Sequence, residues 1–236
     1  MTRKESLILA TLLGTSLLGF GEVEQEFPLG VEVVTGLRTD YVHRGFQLAG
    51  SVLDAQIETE YTLQQDLTLV LGGWIASELS GDFSEIGGSI LLEHTLTELF
   101  TVGGGFQSFN RDNGPIPDEQ NLSLYFQFFP NQDWDLKLLA SRDFEGNGWY
   151  SALEGGWSYR LSDDAFLSLK SGVSWVNNYN QRDGFNDFFG RISFTYLINN
   201  SVSVTPFAGW SVLFDDDEIN DETDRIYSGL WFEVVF

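Results

Sequence analysis

The chain has 236 residues, no cysteine, and 12 Lys and Arg against 35 Asp and Glu, for a formal charge of −23. Without a basic stripe to neutralise phosphates it is no nucleic-acid binder, and without thiols it has neither a disulfide framework nor a thiolate metal site. Twenty Phe, eight Tyr and seven Trp beside 25 Gly and five Pro are more aromatics than an acidic disordered chain carries.

At the N-terminus, Arg3 and Lys4 precede an apolar run from Leu7 to Phe20, interrupted by Thr11, Thr15 and Ser16. Gly19 and Gly21 are small enough for cleavage before Glu22, so residues 1–21 read as an export signal. The run is shorter than the ~20 residues a spanning helix needs. Loss of Arg3, Lys4 and Glu5 with the signal leaves 10 basic against 34 acidic residues, a charge of −24. Residues 22–236 contain no linker-like stretch and read as one domain.

From there the chain follows a period of two. Candidate strands lie near 31–41, 51–62, 67–77, 84–94, 100–109, 120–129, 134–143, 148–160, 165–176, 186–198, 201–213 and 225–236. Most approach the ~9–11 residues that cross a bilayer when tilted. Leu122, Leu124, Phe126 and Phe128 alternate clearly, as do Phe188, Ile192, Phe194 and Tyr196. The last strand ends on Phe236, with Leu230, Phe232 and Val234 on one face and Trp231, Glu233 and Val235 on the other. A mean hydropathy of −0.09 fits such a chain, because outward apolar and inward polar residues average out.

Connections alternate in length too. Short turns fall at Gln64-Gln65-Asp66, Thr97-Glu98, Pro130-Asn131-Gln132, Ser162-Asp163-Asp164 and Asn199-Asn200. Longer ones span 42–50, 78–83, 110–119, 144–147, 177–185 and 214–224. Short turns at one end and long loops at the other are expected of a transmembrane antiparallel up-and-down β-barrel of about 12 strands in a bacterial outer membrane. Trp134, Trp149, Tyr159, Tyr196, Phe100 and Phe236, near strand ends, would meet the lipid headgroups.

With the greasy face outward, the opposite residues point into the barrel. The expected pore lining comprises Arg38, Asp40, Asp54, Glu58, Glu60, Lys137, Glu154, Lys170, Arg191, Arg225 and Glu233. Glu32, Gln56, Glu85, Glu93, Gln107, Gln127 and Arg160 share that face. So many ions cannot enter a dry core without several kcal/mol of penalty each, so they require water or partners. Twelve strands ~4.8 Å apart and tilted ~40° close at a backbone radius of roughly 12 Å, leaving a narrow passage. The acidic excess favours cations at low salt.

The segment Thr39-Asp40-Tyr41-Val42-His43-Arg44-Gly45-Phe46-Gln47-Leu48 resembles the first hairpin of the TorF-like porins. There a strand ends in an aromatic residue, followed by Arg-Gly and an aliphatic or aromatic residue; His43 stands where that family usually has Trp. The resemblance covers about ten residues. It implies an outer-membrane channel of undefined substrate and carries over no catalytic residue. Read locally, Arg44-Gly45 is a tight turn with Gly at positive φ, or a pore-mouth element.

Barrel enzymes need a nucleophile and base, or acidic pairs at the rim. His94 follows Glu93 with no serine at strand spacing, and His43 has only Asp40 nearby. The expectation is therefore no enzyme and no cofactor. Asp215 to Asp224 holds seven carboxylates in ten positions, without the glycine and terminal Glu of a calcium loop, and reads as a solvated, self-repelling loop. The expected partners are outer-membrane lipid, small hydrophilic solutes, and the barrel assembly machinery through the strand ending at Phe236. A non-conducting barrel whose acidic external loops bind a partner is the alternative.

Overall fold

The computed structural model describes residues 30–214 and 223–236. The signal at 1–21 and residues 215–222 of the acidic run lie outside the described residues. The elements are β1 (Val31–Arg38), β2 (Tyr41–His43), β3 (Phe46–Ala49), β4 (Val52–Gln64), β5 (Leu67–Glu78), β6 (Ser84–Thr97), β7 (Phe100–Asp112), β8 (Glu119–Asn131), β9 (Trp134–Asp143), β10 (Trp149–Ser162), β11 (Ala165–Tyr179), β12 (Arg182–Asn199), β13 (Val202–Leu213) and β14 (Arg225–Val235). Among these, β1 and β4 to β14 form a closed twelve-stranded barrel; β2 and β3 pair separately.

Every barrel strand pairs antiparallel with its neighbours, and β14 closes the cylinder on β1 from Glu32 opposite Val235 to Arg38 opposite Gly229. The Phe236 N–H donates to the Val31 carbonyl at 2.9 Å, so the terminal residue lies beside the start of the first strand. Closure leaves no unpaired edge, which a bilayer demands because its core offers backbone groups no water.

The alternation decides which face meets oil. Leu122, Leu124, Phe126, Leu136, Leu138, Leu153, Ile192 and Phe194 are exposed, while Ser123, Tyr125, Lys137, Leu139 and Glu154 between and beside them are buried. An apolar surface this extensive, wrapped round a whole cylinder, is stable only against lipid. Trp134, Tyr159, Tyr196 and Phe236 are exposed near the short-turn end and Trp149 at the opposite end, as an interfacial belt requires.

The interior is fitted by pairing glycines with rings. Gly209 lies under Tyr227, where a Cβ would come within 2.5 Å of the ring, and Gly103 lies likewise under Tyr125. These rings stay flat against the wall rather than filling the lumen.

Two expected connections fold differently. The 177–185 loop is instead the tip of a long ribbon: β11 and β12 continue to Tyr179 and Arg182, joined only by Asn180 and Gln181. Asn180 and Gln181 take φ of 49° and 69°, the paired positive values of a tight hairpin turn. The first strand stops at Arg38, and the 42–50 connection does not stay outside as an open loop. It forms the β2–β3 hairpin, and nearly all of it is buried.

Candidate functional site

The hairpin leaves the wall between β1 and β4 and reaches the far side of the barrel. Tyr41 donates its hydroxyl to Glu85 on β6 at 2.5 Å. At the tip, Arg44 and Gly45 have φ of 51° and 84°, the backbone of a two-residue turn. Gly45 is needed for a second reason: a Cβ there would stand 2.8 Å from the Asn186 amide nitrogen.

Arg44 is fixed by five strands. Its guanidinium lies 3.4 Å from Glu119 and 3.2 Å from Asn121 on β8, 3.3 Å from Ser141 on β9 and 3.3 Å from the Tyr179 hydroxyl on β11. It also lies over the Tyr150 ring at 4.7 Å. From β12, Asn186 donates to the Arg44 carbonyl at 3.0 Å and Arg182 to the Gly45 carbonyl at 3.4 Å.

Glu119 is the hub. It is fully buried, accepting from Tyr179 at 2.5 Å and Asn121 at 2.9 Å, and it pairs with His43 at 3.2 Å and Arg111 at 3.3 Å. A buried carboxylate tolerates this only because its lone pairs are satisfied and cations adjoin it. Burial pushes the His43 imidazole below its ordinary value, against the opposing pull of Glu119. Around this network Tyr41, Phe46, Leu48, Val52, Ala76, Phe83, Ile116, Tyr150, Val176 and Tyr179 form one apolar cluster. The long-loop half of the lumen is thus packed like a protein core.

The expected lining residues are distributed around this hairpin. Arg38 pairs with Asp54 on the neighbouring strand, and the Arg38 guanidinium lies 4.8 Å over the Tyr41 ring. Asp40 is a correction. It lies after the end of β1 at the hairpin base, accepts from Gln47 at 2.6 Å, and so is not a wall residue. His43 pairs with Glu119 rather than with the nearby Asp40.

Glu58 and Glu60 follow Asp54 down β4 toward the short turns, where Glu60 is exposed. Lys137 and Glu154 are register partners on β9 and β10, and Lys170 and Arg191 on β11 and β12. Arg191 lies 4.6 Å over the Trp231 ring. Glu233 accepts from Ser203 at 3.1 Å near the short-turn end, while Arg225 begins β14 at the other end. Arg160 is at the short-turn rim, exposed and paired with Asp163. His94 is exposed there as well, and its Nδ1 lies 2.8 Å from the Asp66 carbonyl oxygen. Among the described residues, no group of three or more His, Asp or Glu is placed to hold a metal ion.

Sequence reasoning missed Glu119, Arg111 and Asn186, having placed the first two in the 110–119 loop. Their signal was available as continued alternation: Gln107, Phe109, Arg111 along β7 and Glu119, Asn121, Ser123 along β8.

No family model matches the sequence, and no curated protein matches it. Solved structures do resemble the fold. An outer-membrane channel from Pseudomonas putida F1 superposes with a TM-score of 0.57 at 12% identity, over 91% of this chain and 100% of that one. The KdgM porin gives 0.56 at 9% identity, over 87% and 99%. The NanC porin gives 0.55 at 11%, over 87% and 98%. At these identities the likeness establishes the class, a twelve-stranded outer-membrane-type barrel.

Proposed function

We propose that this chain is exported to a bacterial outer membrane and acts there as a porin-like channel for small hydrophilic solutes, with a weak preference for cations. The observation that carries this reading is the ionic inner wall below the hairpin. Glu32, Glu58, Glu60, Glu93 and Glu233 outnumber Lys137, Lys170 and Arg191, and a ring of such groups is stable only when wet. The named neighbours are channels and porins, which agrees with it. Kinship with the TorF-like porins rests on Thr39 to Leu48 alone. The strand ending at Phe236 is the segment for the assembly machinery to engage.

The β2–β3 hairpin sets how passage occurs. Packed into the long-loop half, it narrows or closes the route there, so transit requires it to shift. A non-conducting barrel is the second reading, favoured by that same packing.

Planar-bilayer recordings separate the two. The full chain is expected to show small, cation-selective conductance, and a variant with Tyr41–Ala49 replaced by a short Gly-Ser linker a much larger one. If neither conducts, or if the currents select anions, the reading fails.

A further inference from the structure

Below the hairpin the inward Lys and Arg side chains are grouped on one arc of the wall. Glu32 on β1 and Glu58 and Glu60 on β4 form an acidic sector, with Glu93 on β6 beside it. Lys137, Lys170 and Arg191 occupy β9, β11 and β12, with Asp135 on β9 and Glu154 on β10 among them. In the closed barrel β9 lies six strands from β1 in either direction and so faces it, while β11 and β12 stand four and three strands from β1.

Several of these groups are left without partners. Among the described residues, Lys170 Nζ, Glu32 Oε1, Asp135 Oδ2 and Glu154 Oε1 make no hydrogen bond. Glu32 and Glu154 are only 8% exposed and Asp135 only 3%. Unpaired buried polar atoms on facing walls are costly, and water in a narrow space compensates them only in part.

The basic sector is also held in place. Lys170 and Arg191 are directly opposite across β11 and β12, which brings their side chains to the roughly 5 Å at which two cations share one carboxylate. The Arg191 guanidinium is steadied over Trp231, which stacks on Phe207 at 4.0 Å.

We propose that this half of the lumen binds a dipolar solute of amino-acid size, its carboxylate on Lys170 and Arg191 and its ammonium on the glutamates of β1 and β4. A wall radius of roughly 12 Å, less ~6 Å of side chain on each side, leaves about 12 Å, room for one such molecule with water at its ends. A simple anion meets the facing glutamates and gains nothing there. A simple cation leaves Lys170 unsatisfied. This deepens the channel reading and rests on it for the solute's onward passage.

The test is calorimetric titration of the folded chain in detergent with L-alanine, and separately with acetate, methylamine and glycerol. Alanine is expected to bind at least about tenfold more tightly than any of the other three, the worth of one further charged hydrogen bond. Lys170→Met, Arg191→Gln and Glu58→Gln should each remove most of that advantage. Heat-modifiable gel mobility confirms that each variant folds, and any one folded variant suffices. Equal affinity for alanine and acetate or methylamine, or a folded Lys170→Met or Arg191→Gln variant that binds alanine unchanged, overturns the site. Liposome swelling then distinguishes the two claims: glycerol entry without alanine binding removes the site alone, and alanine binding without entry of any solute removes the channel alone.

Discussion

Arg44→Ala is the most direct probe of what holds the hairpin inside the barrel. The substitution removes guanidinium contacts to Glu119, Asn121, Ser141 and Tyr179 and the stacking over Tyr150. Breaking a buried ion pair from one side costs about 3–5 kcal/mol. The low end applies here, because Glu119 keeps His43, Arg111, Tyr179 and Asn121 as partners. About 3 kcal/mol is roughly a 150-fold loss in the ratio of docked to undocked hairpin, at about 1.4 kcal/mol per tenfold. Tyr41, Phe46 and Leu48 remain buried and contribute about 1.5–3 kcal/mol each, so the docked state survives as the majority. Amide hydrogen exchange across residues 41–49 reads that ratio directly, and should accelerate by about two orders of magnitude while the barrel strands stay protected. Arg44→Lys, which keeps the charge without the planar fork, should fall between Ala and the parent. Exchange in Arg44→Ala within about threefold of the parent would show that apolar packing, not the ionic hub, secures the hairpin.

Hairpin docking should also depend on pH through His43, which faces Glu119, Arg111, Arg44 and the Phe109 ring. Burial keeps the docked imidazole neutral, whereas the released one protonates below about 6.5, so docking is strongest above that pH and weakens as pH falls through it, by up to about 1.4 kcal/mol per unit. Exchange at residues 41–49 should therefore quicken between pH 7.5 and 5.5 beyond its intrinsic pH dependence, and His43→Gln should abolish that excess; the same excess in both proteins refutes the assignment. On the outer wall, Leu124→Arg places a charge at a 65% exposed position in the middle of β8. It should cost about 2–4 kcal/mol in urea titrations in lipid vesicles, and an unchanged midpoint would mean that this face does not meet lipid.

The barrel was legible because strand periodicity is local. Alternation in 120–129 and 186–198, turn residues at Gln65-Asp66 and Asn199-Asn200, and the terminal run to Phe236 each specify one strand or turn without reference to distant residues. A lipid-facing barrel then follows, since an apolar outer face and an ionic inner one have few other stable arrangements. The inward direction of most of these side chains was legible for the same reason, from Arg38 and Asp54 round to Arg191 and Glu233, because parity alone sends them to that face. Parity fails where a strand ends. Asp40 lies beyond the end of β1, and the 177–185 segment continued as ribbon because Asn180 and Gln181 accept positive φ.

What the sequence alone determined is the cylinder: its strands, its two faces and the charges on the inner one. Only the tertiary structure decided what fills it. That His43 and Arg44 meet Glu119, 76 and 75 residues away, depends on closure bringing β8 to β12 opposite the root of the hairpin. No local pattern encodes which residues face one another across a lumen, because that spacing is set by strand number and tilt rather than by neighbours in the chain.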